Sequence, residues 1–226
     1  MSISKRLPLA FLLTTPVLAG LLAGCAKDKN EITAVGGSIG QEIQRTSCPA
    51  VGVPTYAGDV TLFDPPASRD ARAIDVVADI TDVKASCDES DPTSATLTSH
   101  VSFRVDARRS SAHGARDVVL PYFAVVLHGG TAVASKSISR ISVHFDDGKL
   151  TASVDGQATG TVSRADATLP DNIRARLIRK RNASDADASV DPMADPSVRA
   201  ALAKASFDLL VGFQLTQEQL AYNATR

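Results

Sequence analysis

Leu97-Thr98-Ser99-His100-Val101-Ser102-Phe103-Arg104-Val105-Asp106 decides the fold class. Leu97, Ser99, Val101, Phe103 and Val105 fall on one side of an extended chain. Thr98, His100, Ser102, Arg104 and Asp106 fall on the other. Successive side chains of a strand point to opposite faces, so this period of two describes a strand with one buried and one wet face, and it excludes a helix. Further candidate strands lie on either side, at 60–63, 74–85, 118–127, 132–145 and 150–162. Turn residues separate them, which is the pattern of an antiparallel all-β domain.

Two connections extend this reading. Gly129-Gly130 between apolar runs is a two-residue hairpin signal, and Asp146-Asp147-Gly148 before Lys149 is a second one, so both are expected to join paired neighbours. The run 118–127 is apolar on both faces, as a central strand is. Pro121 inside it cannot donate a ladder hydrogen bond, and a bulge or an edge position near it is therefore expected. Period two returns at Phe207, Leu209, Val211, Phe213 and Leu215, giving a late strand that completes the same sheet system. The expected architecture is a single antiparallel β-sandwich spanning 48–226, with residues 164–206 as a charged, partly helical insertion before the last strand.

The insertion separates charge by sign. Arg174, Arg176, Arg179, Lys180 and Arg181 precede Asp185, Asp187, Asp191 and Asp195. The five basic residues are candidates for electrostatic contact with lipid phosphates or an acidic partner. A solvated insertion whose two halves screen each other is the alternative. Asp195-Pro196 reads as a helix N-cap followed by proline at the first helical position. Thr216 and Gln219 match a capping box and predict a terminal helical turn.

The N-terminus carries a different message. Lys5 and Arg6 precede an apolar stretch from residue 7 to residue 22, interrupted by Pro8 and Pro16, and small residues lead to Cys25. This is the layout of a cleaved leader rather than of a spanning helix of roughly 20 apolar residues. Leu22-Ala23-Gly24-Cys25 resembles the lipobox of bacterial lipoproteins. The resemblance implies cleavage after residue 24 and acyl chains on Cys25, which anchor stably when more than one chain is present. By the same likeness Ala26, which is not Asp, implies the periplasmic side of the outer membrane rather than the inner membrane. Residues 25–47 then read as a lipidated, flexible tether, with an r.m.s. reach of about 25 Å for its polar part.

Removing Lys5 and Arg6 with the leader takes the 24 basic residues to 22 against 25 acidic ones, a net of −3. Nucleic acid, which needs clustered positive charge, is an unsuitable partner. With Cys25 carrying lipid, Cys48 and Cys87 remain, and an even pair in an oxidising compartment suggests one disulfide. Closing a loop of about 40 residues stabilises a fold by roughly 4 kcal/mol in the chain-entropy reckoning. Two buried thiols or a metal pair are the alternatives, and no third and fourth ligand stand at zinc-site spacing.

Catalytic signals are sparse. Gly36-Gly37-Ser38-Ile39-Gly40 matches G-x-S-x-G, yet it precedes every core-building segment, whereas a nucleophile elbow needs a preceding strand in a parallel sheet. His100 and His144 fall on polar strand faces, His128 abuts a turn and His113 lies in a loop. These form no base or metal constellation, and no cofactor motif stands out. The ending from Val211 to Asn223 (VGFQLTQEQLAYN) resembles that of uncharacterised envelope lipoproteins of α-proteobacteria, a likeness that implies a broadly immunoglobulin-like sandwich and no particular activity. Three functions are left open: a non-catalytic module binding an envelope protein or cell-wall partner, a carrier of lipid or another apolar ligand, and a hydrolase using Ser38.

Overall fold

The structure, a computed structural model of the chain, describes residues 33–35, 42–44, 47–179, 184–186 and 189–225. Ten strands dominate: β1 Thr33–Val35, β2 Glu42–Gln44, β3 Ala50–Gly52, β4 Asp59–Phe63, β5 Ile74–Cys87, β6 Thr96–Arg109, β7 Arg116–His128, β8 Ala132–Phe145, β9 Thr151–Ser163 and β10 Phe207–Phe213. Helices α1 Arg164–Ala167, α2 Asp171–Ile178 and α3 Pro196–Lys204 fill the excursion before β10, and α4 Gln217–Thr225 follows it. One four-stranded sheet has the order β3-β10-β7-β8 and the other β4-β5-β6-β9, while β1 and β2 pair with each other inside the segment read as a tether. All pairs are antiparallel except β3 with β10. The result is a mostly β, sandwich-like architecture.

The core forms where the inward residues of the two sheets meet. β6 buries Leu97, Val101, Phe103 and Val105, and β7 buries Leu120 and Val126 against them. Val143 and Phe145 of β8 and Leu209, Val211 and Phe213 of β10 complete the same cluster. Each large apolar side chain removed from water in this way contributes about 1.5–3 kcal/mol. β9 approaches so closely that a Cβ at Gly156 would stand 2.4 Å from the Phe103 ring, and one at Gly160 would stand 2.8 Å from Leu209 and Val126. Glycine at these two positions lets the facing side chains occupy the space a methyl group would take.

The first hairpin joins β7 and β8 as expected, but with three loop residues rather than two: His128 pairs with Ala132, and Gly129 and Gly130 have φ of 63° and 76°, the left-handed geometry of a tight turn. The second connection corrects the sequence expectation. β8 and β9 do not pair; β9 joins β6 in the opposite sheet, so Asp146-Asp147-Gly148 carries the chain across the sandwich. The physical cause lies at the end of β6. Arg109 is buried, and its guanidinium donates to the carbonyls of Ala112, Gly114, Asp146 and Lys149 at 2.7–3.0 Å while lying over the Phe145 ring. It thereby fixes both loops over the end of the core, a long-range constraint that local turn chemistry does not contain.

Pro121 takes neither the expected bulge nor an edge strand, since β7 is flanked by both β10 and β8. The register of β7 is continuous there and shifts only between Val126 and Leu127. In an antiparallel strand a residue's N–H and C=O point to the same neighbour. The Pro121 carbonyl accepts from Gln214 N at 2.8 Å, so its missing donor faces the chain just past Phe213, where β10 has ended. At the C-terminus the capping box is reciprocal, Gln219 N donating to Thr216 Oγ1 and Thr216 N to Gln219 Oε1. The helix it starts is a full α4, held by Tyr222 edge-on to Phe63 and by Asn223 Nδ2 donating to the carbonyls of Tyr56 and Asp59.

Candidate functional site

Cys25 and Ser38 lie outside the described residues, as do Lys180 and Arg181. Cys48 and Cys87 form a disulfide with their Cα atoms 6.1 Å apart. It joins the start of the domain to the last residue of β5. Arg174 and Arg176 sit on α2, and Arg179 caps its C-terminus. Their charge is turned inward on the insertion itself: Arg176 meets Asp195 at 2.5 Å and Arg174 meets Asp171 at 3.6 Å. Arg176, together with the Ser197 hydroxyl and amide, holds the Asp195 carboxyl well below the usual carboxylate range. Asp195 is also the N-cap of α3 and accepts from Ser197 N at 2.8 Å, so one carboxylate links the two helices. A surface cavity of about 590 Å³ lies between α2 and the turn that precedes α3, lined by Arg176, Arg179, Val190, Asp191 and Asp195.

The histidines are placed apart. His100 is exposed on the outer face of β6 and His113 in the loop before β7. His128 stacks on Phe207 and donates from Nε2 to the Lys204 carbonyl, which ties α3 to the β7 turn. His144 bridges two carboxylates, Asp117 at 2.8 Å from Nδ1 and Asp146 at 3.5 Å from Nε2. The hydrogen bond to Asp117 and that carboxylate's charge raise the imidazole above its ordinary value. Among the described residues no three His, Cys, Asp or Glu side chains are grouped to hold a metal ion.

A different region stands out once the chain is folded, and it lies along β8. This strand is an edge of its sheet, and residues 132–140 are exposed on both faces, whereas Ile141, Val143 and Phe145 are buried. Moving away from Phe145, the inward phase of β8 runs Val143, Ile141, Ser139, Ser137, Ser135. Three serines cannot fill the space at this margin of the two sheets as isoleucine does, and a notch opens beside them. The notch there measures about 290 Å³ and is lined by Tyr122, Ser137, Ser139, Gln157, Ala158 and Thr159. Tyr122 closes its floor, with its ring edge-on to Phe103 and its hydroxyl donating to the Gln157 carbonyl at 2.8 Å.

The outward phase of the same stretch carries Lys136, Ile138 and Arg140 opposite Val125, Phe123 and Pro121 of β7. Ile138 is 60% exposed between the two basic side chains, and Val119, opposite Ser142 beyond Arg140, is 56% exposed, so apolar surface lies open beside them. Lys136 Nζ stands 5.1 Å above the Phe123 ring. Sequence reasoning identified β8 with its observed bounds and passed over this surface. Only part of its signal is local, serine in the inward phase followed by isoleucine in one strand; the other wall comes from β9. No known protein family, curated protein or solved structure matches the chain.

Proposed function

We propose that the chain is a lipid-anchored protein of the bacterial cell envelope, held through Cys25 at the periplasmic side of the outer membrane, and that it serves as a non-catalytic interaction module for an envelope protein or cell-wall partner. Its body is read as a loosely immunoglobulin-like sandwich, a likeness supported by two four-stranded sheets with a shared core. The Cys48–Cys87 disulfide supports the compartment, because such bonds persist in oxidising surroundings. The observation that carries the interaction role is the half-open edge strand β8, which offers main-chain donors and acceptors beside exposed apolar surface. The carrier reading draws no support from the interior, where Phe103, Phe145, Phe213, Leu97, Leu120 and Leu209 fill the space between the sheets.

The anchoring half of the proposal is tested by Cys25→Ser. The variant is expected in the soluble periplasmic fraction, with Cys48 and Cys87 still inaccessible to alkylation until a reductant is added. Continued membrane attachment of a folded Cys25→Ser protein would overturn it.

A further inference from the structure

We infer that the open half of β8 is a β-augmentation site that takes an extended acidic segment of a partner protein, paired in register with Lys136-Ser137-Ile138-Ser139-Arg140. The inference deepens the interaction role proposed above and rests on it. Three independent features of the stretch converge on this occupant. The first is the free edge. Among the described residues β8 is bonded to β7 alone, so its other side presents unpaired backbone groups, which serve as a template for an added strand.

The second is that both faces of an added strand would find a seat. Inward-pointing side chains would enter the notch between Ser137 and Ser139 on one wall and Gln157 and Thr159 on the other. Outward-pointing ones would continue the apolar surface at Ile138. A strand's side chains alternate, so the partner must itself alternate small polar residues with outward ones.

The third is charge. Residues 132–141 contain two charged side chains, Lys136 and Arg140, both basic and both on the outer face flanking Ile138. The carboxylates on that face, Asp117 and Asp146, stand beside His144, and among the described residues none is within ion-pair distance of Lys136 or Arg140. Pairing with a second copy is disfavoured, because every antiparallel register centred between Lys136 and Arg140 sets like charges opposite or diagonal to one another, where they repel. The same charges favour carboxylates at the two positions flanking an apolar residue. The complementary pattern is acidic, small polar, apolar, small polar, acidic, and since basic residues stand symmetrically about Ile138 it reads the same in either strand direction.

The test uses the isotope-labelled full-length chain and a synthetic peptide with the central run Glu-Thr-Val-Thr-Glu, set against a control with lysine in place of glutamate. The acidic peptide is expected to shift the backbone amides of residues 132–140 and of the facing part of β9, and to slow their hydrogen exchange. The control is expected to leave them in place. Lys136→Glu combined with Arg140→Glu, both on exposed positions, should weaken the acidic peptide at least tenfold and reverse the preference in favour of the lysine peptide. Unchanged affinity after that charge swap would overturn the inference. So would shifts that fall elsewhere on the surface, or a dimer in sedimentation held through β8, which would give the edge to a second copy. These readouts are independent of lipid attachment, so failure at the edge is separable from failure of the anchoring proposal.

Discussion

β6 and β8 are each 14 residues long, alternate with the same period and lie in opposite sheets of one sandwich, yet they have different fates. β6 is flanked by β5 and β9 and buries every second residue from Leu97 to Arg109. Among the described residues β8 is flanked by β7 alone, and it buries only Ile141, Val143 and Phe145. The difference lies in the inward phase: β6 places Val101, Phe103 and Val105 where β8 places Ser135, Ser137 and Ser139. Alternation gives a strand its two faces, and the residue type on the inward face determines whether another layer can close over it. One strand supplies the core, and the other leaves it beside an open notch.

The sharpest way to break this comparison is to truncate one outstanding side chain from each strand. Phe103 is 2% exposed and packs on Tyr122 at 5.2 Å, against the space left by Gly156. Phe103→Ala is expected to cost about 3–5 kcal/mol, from lost transfer energy and the residual cavity. Ile138→Ala should stay within about 0.5 kcal/mol, since the side chain it removes is already in water. Urea titrations of the two variants measure both. A cost above about 1.5 kcal/mol for Ile138→Ala would show that the open half of β8 is covered by part of this chain.

A smaller effect sharpens the contrast between serines in the same inward phase. Ser99 on β6 is 1% exposed and its hydroxyl has no hydrogen-bond partner. A buried hydroxyl that finds no partner loses its hydration without compensation. Ser99→Ala should therefore leave stability unchanged or raise it by up to about 1 kcal/mol, against the usual direction of core substitutions. Ser137 lies in the notch with access to water, so Ser137→Ala is expected to be neutral. A loss of more than about 1 kcal/mol in Ser99→Ala would mean that the hydroxyl is satisfied in the folded protein.

The same contrast explains what was legible in the sequence. The strands could be read because period two is a local property, and 132–145 was bounded correctly even though half of it is exposed. Thr216 and Gln219 announced their helix because capping is completed within four residues. The fate of Asp146-Asp147-Gly148 was not legible, since it depends on Arg109, whose bonds to Asp146 and Lys149 span 37 and 40 residues. The basic cluster was visible as a run of arginines, but the run could not reveal that Arg176 turns toward Asp195. The notch escaped for a related reason. Ser137 and Ser139 are unremarkable residues in a strand, and they become a site only when Gln157 and Thr159 arrive opposite them.

The last prediction concerns the end of β8 that does close. His144 lies on its outer face between Asp117 of β7 and Asp146 of the following turn, and its hydrogen bond to Asp117 raises the imidazole above its ordinary value of 6.5. A proton bound more tightly in the folded than in the unfolded state favours folding where it is bound. The contribution is fully present below the unfolded value and is lost as pH rises through the higher folded one. The ring is exposed and screened by solvent, so the effect on stability is small and the titration itself is the better readout. The His144 ring protons should titrate with a midpoint above 6.5, and Asp117→Asn should bring that midpoint down towards 6.5. Stability of the two proteins should differ at about pH 5 and converge at about pH 9, where the imidazole is neutral in both folded and unfolded states. A midpoint at or below 6.5 in the unaltered chain would mean that the β7 carboxylate does not hold this ring, and that β8 is loose along its outer face at the closed end as well.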